Sequence, residues 1–210
     1  FALGGDALQG LQLGRERIAA QLEALEGVPP EGERVEALQR AKQGHYSALV
    51  ASGQLQLRPG VAELIGEAQQ AGVTQVIVTT SGRMAVNALA QHLLGELQSA
   101  FSFWICGEDV RRKKPDPEAY RLALGTLVGR GAIAGPDELL VIEDSRQGLA
   151  AARAAGLRCL VTLSHYSQAA LGDLDPVAVV THLGAGVSVR HGPPCQMASI
   201  TLSYLETLLA

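Results

Sequence analysis

The sequence predicts an α/β protein with a Rossmann-like parallel sheet covered by helices on both faces, and three observations predict it. Short continuous apolar runs recur at Val73–Thr79, Phe101–Cys106, Leu139–Ile142 and Arg158–Thr162, as in strands buried on both faces. Between them lie stretches with helical spacing, about 83–94, 116–129 and 146–155. Repeated units of this kind imply a parallel sheet with right-handed crossovers. Polar residues gather at the strand ends, Thr79-Thr80-Ser81 after one and Glu143-Asp144-Ser145 after another. Ligands of open α/β sheets bind beyond those ends.

Composition narrows the class. With 210 residues, 47% hydrophobic and 18% charged, the chain can bury a sizeable core and does not read as disordered. A net charge of −4 gives no reason to expect nucleic acid or an anionic membrane surface. No stretch approaches the roughly 18–20 apolar residues of a membrane helix. Cys106, Cys159 and Cys195 are widely spaced. Two of them lie in apolar runs, the signature of buried thiols in a reducing compartment. The five histidines show no metal-ligand spacing. Phe1 is not followed by the basic start of a signal peptide, and the expected location is the cytoplasm, with the plastid stroma equally compatible.

The elements follow in order. Ile18, Leu22 and Leu25 form one face of a helix that stops at Gly27 and Pro29-Pro30. A second helix is expected from about Glu33, with Val35, Leu38, Ala41, Tyr46 and Leu49 inward. Residues 1–57 thus read as a small helical lobe. At Leu57-Arg58-Pro59-Gly60-Val61 the α/β unit, 58–210, begins. It opens with a helix at about 59–71, then runs through the strands and helices above to a weaker edge strand at Val177–Val180 and a closing helix at about 198–209.

Three stretches could carry chemistry. Thr79-Thr80-Ser81-Gly82-Arg83 ends a strand and opens a helix, so a hydroxyl and unsatisfied amides point the same way, an arrangement that binds phosphate or merely caps the helix. Arg111-Arg112-Lys113-Lys114 precedes Pro115-Asp116-Pro117-Glu118. Asp116, Pro117 and Glu118 account for a helix start, whereas four successive cations repel one another unless an anion gathers there. Lys114, next to Pro115, is the one expected in the site, the other three in water. Glu143 and Asp144 are paired carboxylates able to hold a hard cation such as Mg²⁺; a helix cap is the plainer alternative. Thr79 to Lys114 is 35 residues and Lys114 to Asp144 is 30, one strand–helix unit each time. Hydroxyl, lysine and carboxylates would therefore meet on one sheet edge, a set suited to phosphoryl transfer.

The series Val-Ile-Val-Thr79, Lys114-Pro115-Asp116-Pro117 and Val-Ile-Glu143-Asp144-Ser145 with Gly148 and Ala155-Gly156 resembles the haloacid-dehalogenase-like (HAD) phosphohydrolases. It matches their second, third and fourth motifs in order. Within them the chain looks most like the CbbY-like branch, relatives of β-phosphoglucomutase and phosphoglycolate phosphatase. The resemblance covers roughly 13–210, the helical lobe corresponding to the family's cap. It implies a Mg²⁺-dependent phosphatase of sugar phosphates working through an aspartyl-phosphate, and a monomer when full-length. Thr79, with the Thr80 and Ser81 amides, would bind the transferring phosphoryl group. Lys114 would neutralise its charge, Asp144 would ligate Mg²⁺, and Glu143 would assist directly or through water.

The family's nucleophile lies in an apolar-Asp-x-Asp-Gly-Thr motif on the first strand, its second Asp being the general acid/base, and no such motif occurs in this sequence. Asp6, in Gly-Gly-Asp-Ala-Leu, does not fit it. The expectation is a chain truncated within the cap and lacking the first core strand. Two buried strands would then be left with unpaired edges, so the chain alone should fold poorly. Arg17 and Lys42 match positions where relatives grip the far end of a sugar phosphate; a bisphosphate such as xylulose-1,5-bisphosphate becomes the candidate. Alternatives are a mutase of the same fold and a non-catalytic phosphosugar-binding protein. Gly184-Ala185-Gly186 lacks the third glycine of a dinucleotide fingerprint.

Overall fold

The computed structural model describes residues 2–4, 15–38, 40–41, 52, 55–164, 171 and 173–210. The chain divides into two compact units, Gln9–Gln56 and Phe1–Leu8 with Leu57–Ala210. The first residues thus belong with the α/β unit and not with the helical lobe.

In the helical unit, α1 (Arg15–Glu26) is followed by α2, helical residues 32–38 and 40–41. Gly27 terminates α1 with φ +72°, its amide reaching the Glu23 carbonyl at 2.8 Å, the left-handed cap glycine permits. Arg34 clasps Glu26 through both carboxylate oxygens, at 2.7 and 2.6 Å. Ile18 and Val35 are buried as expected, but Leu25 is 83% exposed. The last turn of α1 therefore does not present the inner face its spacing predicts.

The α/β unit contains β1 (Ala2–Gly4), α3 (Val61–Gln70), β2 (Gln75–Val78), α4 (Arg83–Leu93), β3 (Phe101–Ile105), α5 (Glu118–Gly129), β4 (Leu140–Glu143), α6 (Arg146–Ala154), β5 (Arg158–Thr162), β6 (Ala178–Val180), β7 (Val189–His191) and α7 (Leu202–Thr207). The sheet order is β3-β2-β1-β4-β5-β6-β7, parallel except for β7. Alternation along the strands divides the core between two faces. Ile77, Ile142 and Leu160 pack with α3, α4 and α7, while Val76, Val78, Val141 and Val161 pack with α5 and α6. Burial on both faces explains the continuous apolar runs.

Two strands depart from expectation. The slot between β2 and β4 is filled: Ala2 pairs with Val76 and Val141, and Leu3 with Ile77 and Ile142. The expectation of a missing first strand, and of two unpaired edges beside it, is corrected accordingly. Pairing is made by backbone N–H and C=O groups, so a short apolar segment satisfies both neighbours without the family's carboxylate motif. Asp6 lies outside the described residues. At the other side, the 177–180 run is not an edge, because β7 adds antiparallel to β6. Its residues, Val-Arg-His, carried too weak an alternation to be seen.

Arg58 secures the same edge of the sheet at which β2 and β4 end. Its guanidinium donates to Thr162 Oγ1 at 2.9 Å and to the carbonyls of Leu163 at 2.6 Å and Thr181 at 3.4 Å. The neighbouring Gly60 has φ +83°, and a Cβ there would lie 2.2 Å from the Gly184 nitrogen. Only glycine permits that backbone contact.

Candidate functional site

Lys114 is the centre of the site. The loop after β3 carries it back over the sheet, and its side chain is 6% exposed, beside Glu143 at 1%. Its ammonium donates to the Val78 carbonyl at 2.9 Å, to Glu143 Oε1 at 2.6 Å and to the Tyr120 hydroxyl at 3.2 Å. Three donors meet three acceptors, the full capacity of an ammonium. The nitrogen also sits 4.7 Å from the centre of the Tyr120 ring, within cation–π range. Arg111, Arg112 and Lys113 are exposed, so the basic run divides as its sequence predicts.

The loop before α5 is shaped by its own helix start. Asp116 Oδ1 accepts the Glu118 amide at 3.0 Å, the bond expected of a capping aspartate. Glu118 in turn accepts the Arg111 and Arg112 amides, each at 2.9 Å. These amides, with Arg112 beside them, hold its carboxyl below the usual range.

Glu143 ends β4, and both oxygens of its carboxylate accept hydrogen bonds within the protein. Oε1 accepts from Lys114 and, in a short bond, from Tyr120, while Oε2 accepts from Ser145 Oγ at 3.2 Å. Ser145 is also the N-cap of α6, taking the Gly148 amide at 3.0 Å. So Ser145 caps the helix, the plainer reading of the motif, and ties that cap to Glu143 as well. A Cβ on Gly148 would stand 2.0 Å from the Glu143 carboxyl carbon. The glycine of the motif makes room for the carboxylate.

Asp144 is buried beside it, and its carbonyl accepts from Ser164 Oγ at 3.3 Å. The donor set is of hard oxygens, and Mg²⁺ is commonly held by one or two carboxylates with the remainder supplied by water and substrate phosphate. The residues fit that ion, with a changed emphasis. Two protein donors already fill Oε1 of Glu143, leaving Oε2 with one lone pair beyond Ser145, so Glu143 chiefly anchors Lys114 and Asp144 would be the principal carboxylate toward such an ion. Among the described residues no cluster of three or more ligating side chains forms a complete metal cage.

Thr79 follows β2 directly and is buried, with Ser81 nearby. Its Oγ1 accepts the Ser81 amide at 3.1 Å, so that amide is spent inside the turn. The amide of Arg83, at the start of α4, donates to both Glu108 carboxylate oxygens at 3.0 Å. The helix N-terminus expected to hold phosphate is therefore already neutralised by a protein carboxylate, which the sequence reading did not anticipate. Thr79 and Lys114 are nevertheless joined through Val78, and Lys114 and Asp144 through Glu143, so the three motifs do meet. Arg17 lies in α1, but its side chain and all of Lys42 lie outside the described residues.

Two residues were missed by sequence reasoning. Tyr120 is completely buried yet offers a hydroxyl to the ion pair; an aromatic six residues after Lys114 was its only signal. Asp109 accepts the Cys106 amide at 2.7 Å and forms a short ion pair with Arg83. The Cys106 amide first, and Arg83 after it, hold the Asp109 carboxyl low, while burial pushes the Cys106 thiol up. A lowered carboxyl stabilises the fold above its unfolded pKa and loses that contribution as pH falls through the folded one. Asp109→Asn is therefore expected to lower the urea midpoint at pH 7 and to narrow its difference from the wild type below roughly pH 4. An equal loss at both pH values would contradict this.

A model of the haloacid dehalogenase-like hydrolases matches residues 5–156. The chain belongs to that family. Among CbbY-like members of the HAD hydrolases, the CbbY protein of Cereibacter sphaeroides is 38% identical over 156 residues, 74% of this chain and 65% of that protein. The CBBY-like protein of Arabidopsis thaliana is 38% identical over 162 residues, 73% of this chain and 49% of that protein. The chain thus spans about two thirds or less of these relatives. The crystal structure of a CbbY variant from Rhodobacter sphaeroides with xylulose-(1,5)-bisphosphate matches with a TM-score of 0.63 at 34% identity, covering 79% of this chain and 72% of that one. A HAD hydrolase from Entamoeba histolytica, at 14% identity, shares the fold over 99% of this chain, with a TM-score of 0.68.

Proposed function

We propose that this HAD hydrolase is a Mg²⁺-dependent phosphatase of sugar phosphates, with a bisphosphate such as xylulose-1,5-bisphosphate as the leading candidate. The observation that carries this reading is the buried Lys114 ammonium, fixed 2.6 Å from Glu143 and 2.9 Å from the Val78 carbonyl, between Thr79 and Asp144. It provides a positive charge of set position in a water-poor site, where charge stabilisation is strongest. The Thr79 hydroxyl would orient the phosphoryl group and Lys114 would offset its charge. Asp144, assisted by Glu143, would hold Mg²⁺, which when bound supplies further neutralisation of the phosphoryl oxygens. Arg17 and Lys42 would engage the far end of the substrate. The family's covalent step needs a carboxylate nucleophile, and the 210 residues contain no apolar-Asp-x-Asp-Gly-Thr motif. Their own contribution is binding, neutralisation and orientation.

A second reading is a phosphosugar-binding protein without turnover. The reading also carries a monomer in the cytoplasm or plastid stroma; no described helix is long and apolar enough to cross a membrane. Phosphate release from xylulose-1,5-bisphosphate and from phosphoglycolate by the full-length gene product separates the two. The phosphatase reading expects Mg²⁺-dependent release that Asp144→Asn lowers by about 10²-fold or more. Tight binding without release would establish the second reading, and a fully active Asp144→Asn would overturn the site assignment.

A further inference from the structure

We infer that Tyr120 is a positioning residue for Lys114, acting through its hydroxyl and not through its bulk. This rests on the phosphatase reading and extends it to a group that does not touch substrate. Tyr120 belongs to the first turn of α5 and is wholly buried, packed with Val76, Val78 and Leu149. A phenylalanine would satisfy that packing equally well. The hydroxyl instead accepts from Lys114 at 3.2 Å and donates to Glu143 Oε1, closing a triangle of lysine, glutamate and tyrosine. A two-membered ion pair can swing about its single contact. With the hydroxyl as a third corner, and Val78 and Ser145 holding the outer sides, the ammonium has one position. The ring lies against the same ammonium, so orientation and charge support come from one side chain. A site built to stabilise developing charge depends on such fixed placement.

Tyr120→Phe keeps the ring and removes the corner. Two measurements on the full-length gene product test it. The first is steady-state phosphate release, where kcat is expected to fall roughly tenfold, as for the loss of one hydrogen bond to a charged group, with KM changed less than threefold. The second is the ¹⁵N resonance of the Lys114 ammonium, assigned by its loss in Lys114→Ala. Three fixed acceptors should protect it from exchange in the wild type, and Tyr120→Phe should broaden it. A kcat within twofold of the wild type, or an unchanged resonance in a folded Tyr120→Phe, overturns the inference while leaving the phosphatase reading intact. If the wild type releases no phosphate, or Lys114→Ala releases it normally, the phosphatase reading fails first. Should Tyr120→Phe not fold, the wild-type resonance alone decides: a rapidly exchanging Lys114 ammonium is incompatible with the triangle.

Discussion

Replacing Lys114 with alanine is expected to reduce phosphate release by about 10²–10³-fold, and to destabilise the fold by roughly 3–5 kcal/mol. The catalytic figure is that of removing one preorganised charge-stabilising group. The stability figure arises from what is left behind. Glu143 is 1% exposed, and its nearest cation is the lysine at 2.6 Å; without it a buried carboxylate keeps only the Tyr120 and Ser145 hydroxyls. Breaking a buried pair from one side costs far more than the pair contributes, because the surviving charge is stranded. The double variant Lys114→Ala, Glu143→Gln should recover much of the stability and none of the activity. Urea denaturation and phosphate-release assays on the four proteins of the cycle measure both quantities. A single Lys114→Ala that melts with the wild type would show that the pair does not behave as a buried unit.

Gly148→Ala is expected to be nearly as damaging, although a glycine-to-alanine change inside a helix ordinarily gains stability. The new methyl would stand 2.0 Å from Glu143 Cδ and Oε2 and 2.2 Å from Oε1. A flexible side chain in solvent would simply move aside. This carboxylate is held by Lys114, Tyr120 and Ser145, so moving it breaks those bonds in a buried site. A loss of roughly 3 kcal/mol or more follows, with activity falling alongside. Glu143→Ala introduced together with Gly148→Ala should cost little beyond Glu143→Ala alone, since the clash has no partner left. Denaturant midpoints of the single and double variants decide it; a strictly additive pair would refute the steric account.

The sheet was legible because both faces are covered, which turns strands such as Val76–Val78 and Leu140–Ile142 into uninterrupted apolar runs. Arg158–Thr162 matches its predicted bounds, and α4 and α6 each end one residue earlier than expected. Two of the three shortest strands were not legible. Ala2–Gly4 and Val189–His191 have three residues each, too few for any period to appear, and they are placed by pairing with neighbours and not by pattern. In the site, Lys114 was identifiable because the capping of α5 accounts for Asp116, Pro117 and Glu118 and leaves the lysine over. The direction of the Glu143 side chain was not. Two adjacent carboxylates read alike in sequence, whereas in the structure the first accepts from a lysine, a tyrosine and a serine, and the second belongs to a buried residue whose backbone carbonyl accepts from Ser164. Nor could sequence show Glu108 at the start of α4, since that contact joins residues 25 apart.

Glu143 and the four residues around its carboxylate also limit how this protein can change over generations. Position 148 can grow only after position 143 has shortened, and position 143 can shorten only if position 114 no longer depends on it for a counter-charge. Position 114 cannot change first either, because its loss strands the Glu143 charge, so a first step at 114, 143 or 148 passes through a stranded charge or a collision. Descendants should therefore either retain lysine, tyrosine, glutamate, serine and glycine together or have exchanged several of them at once.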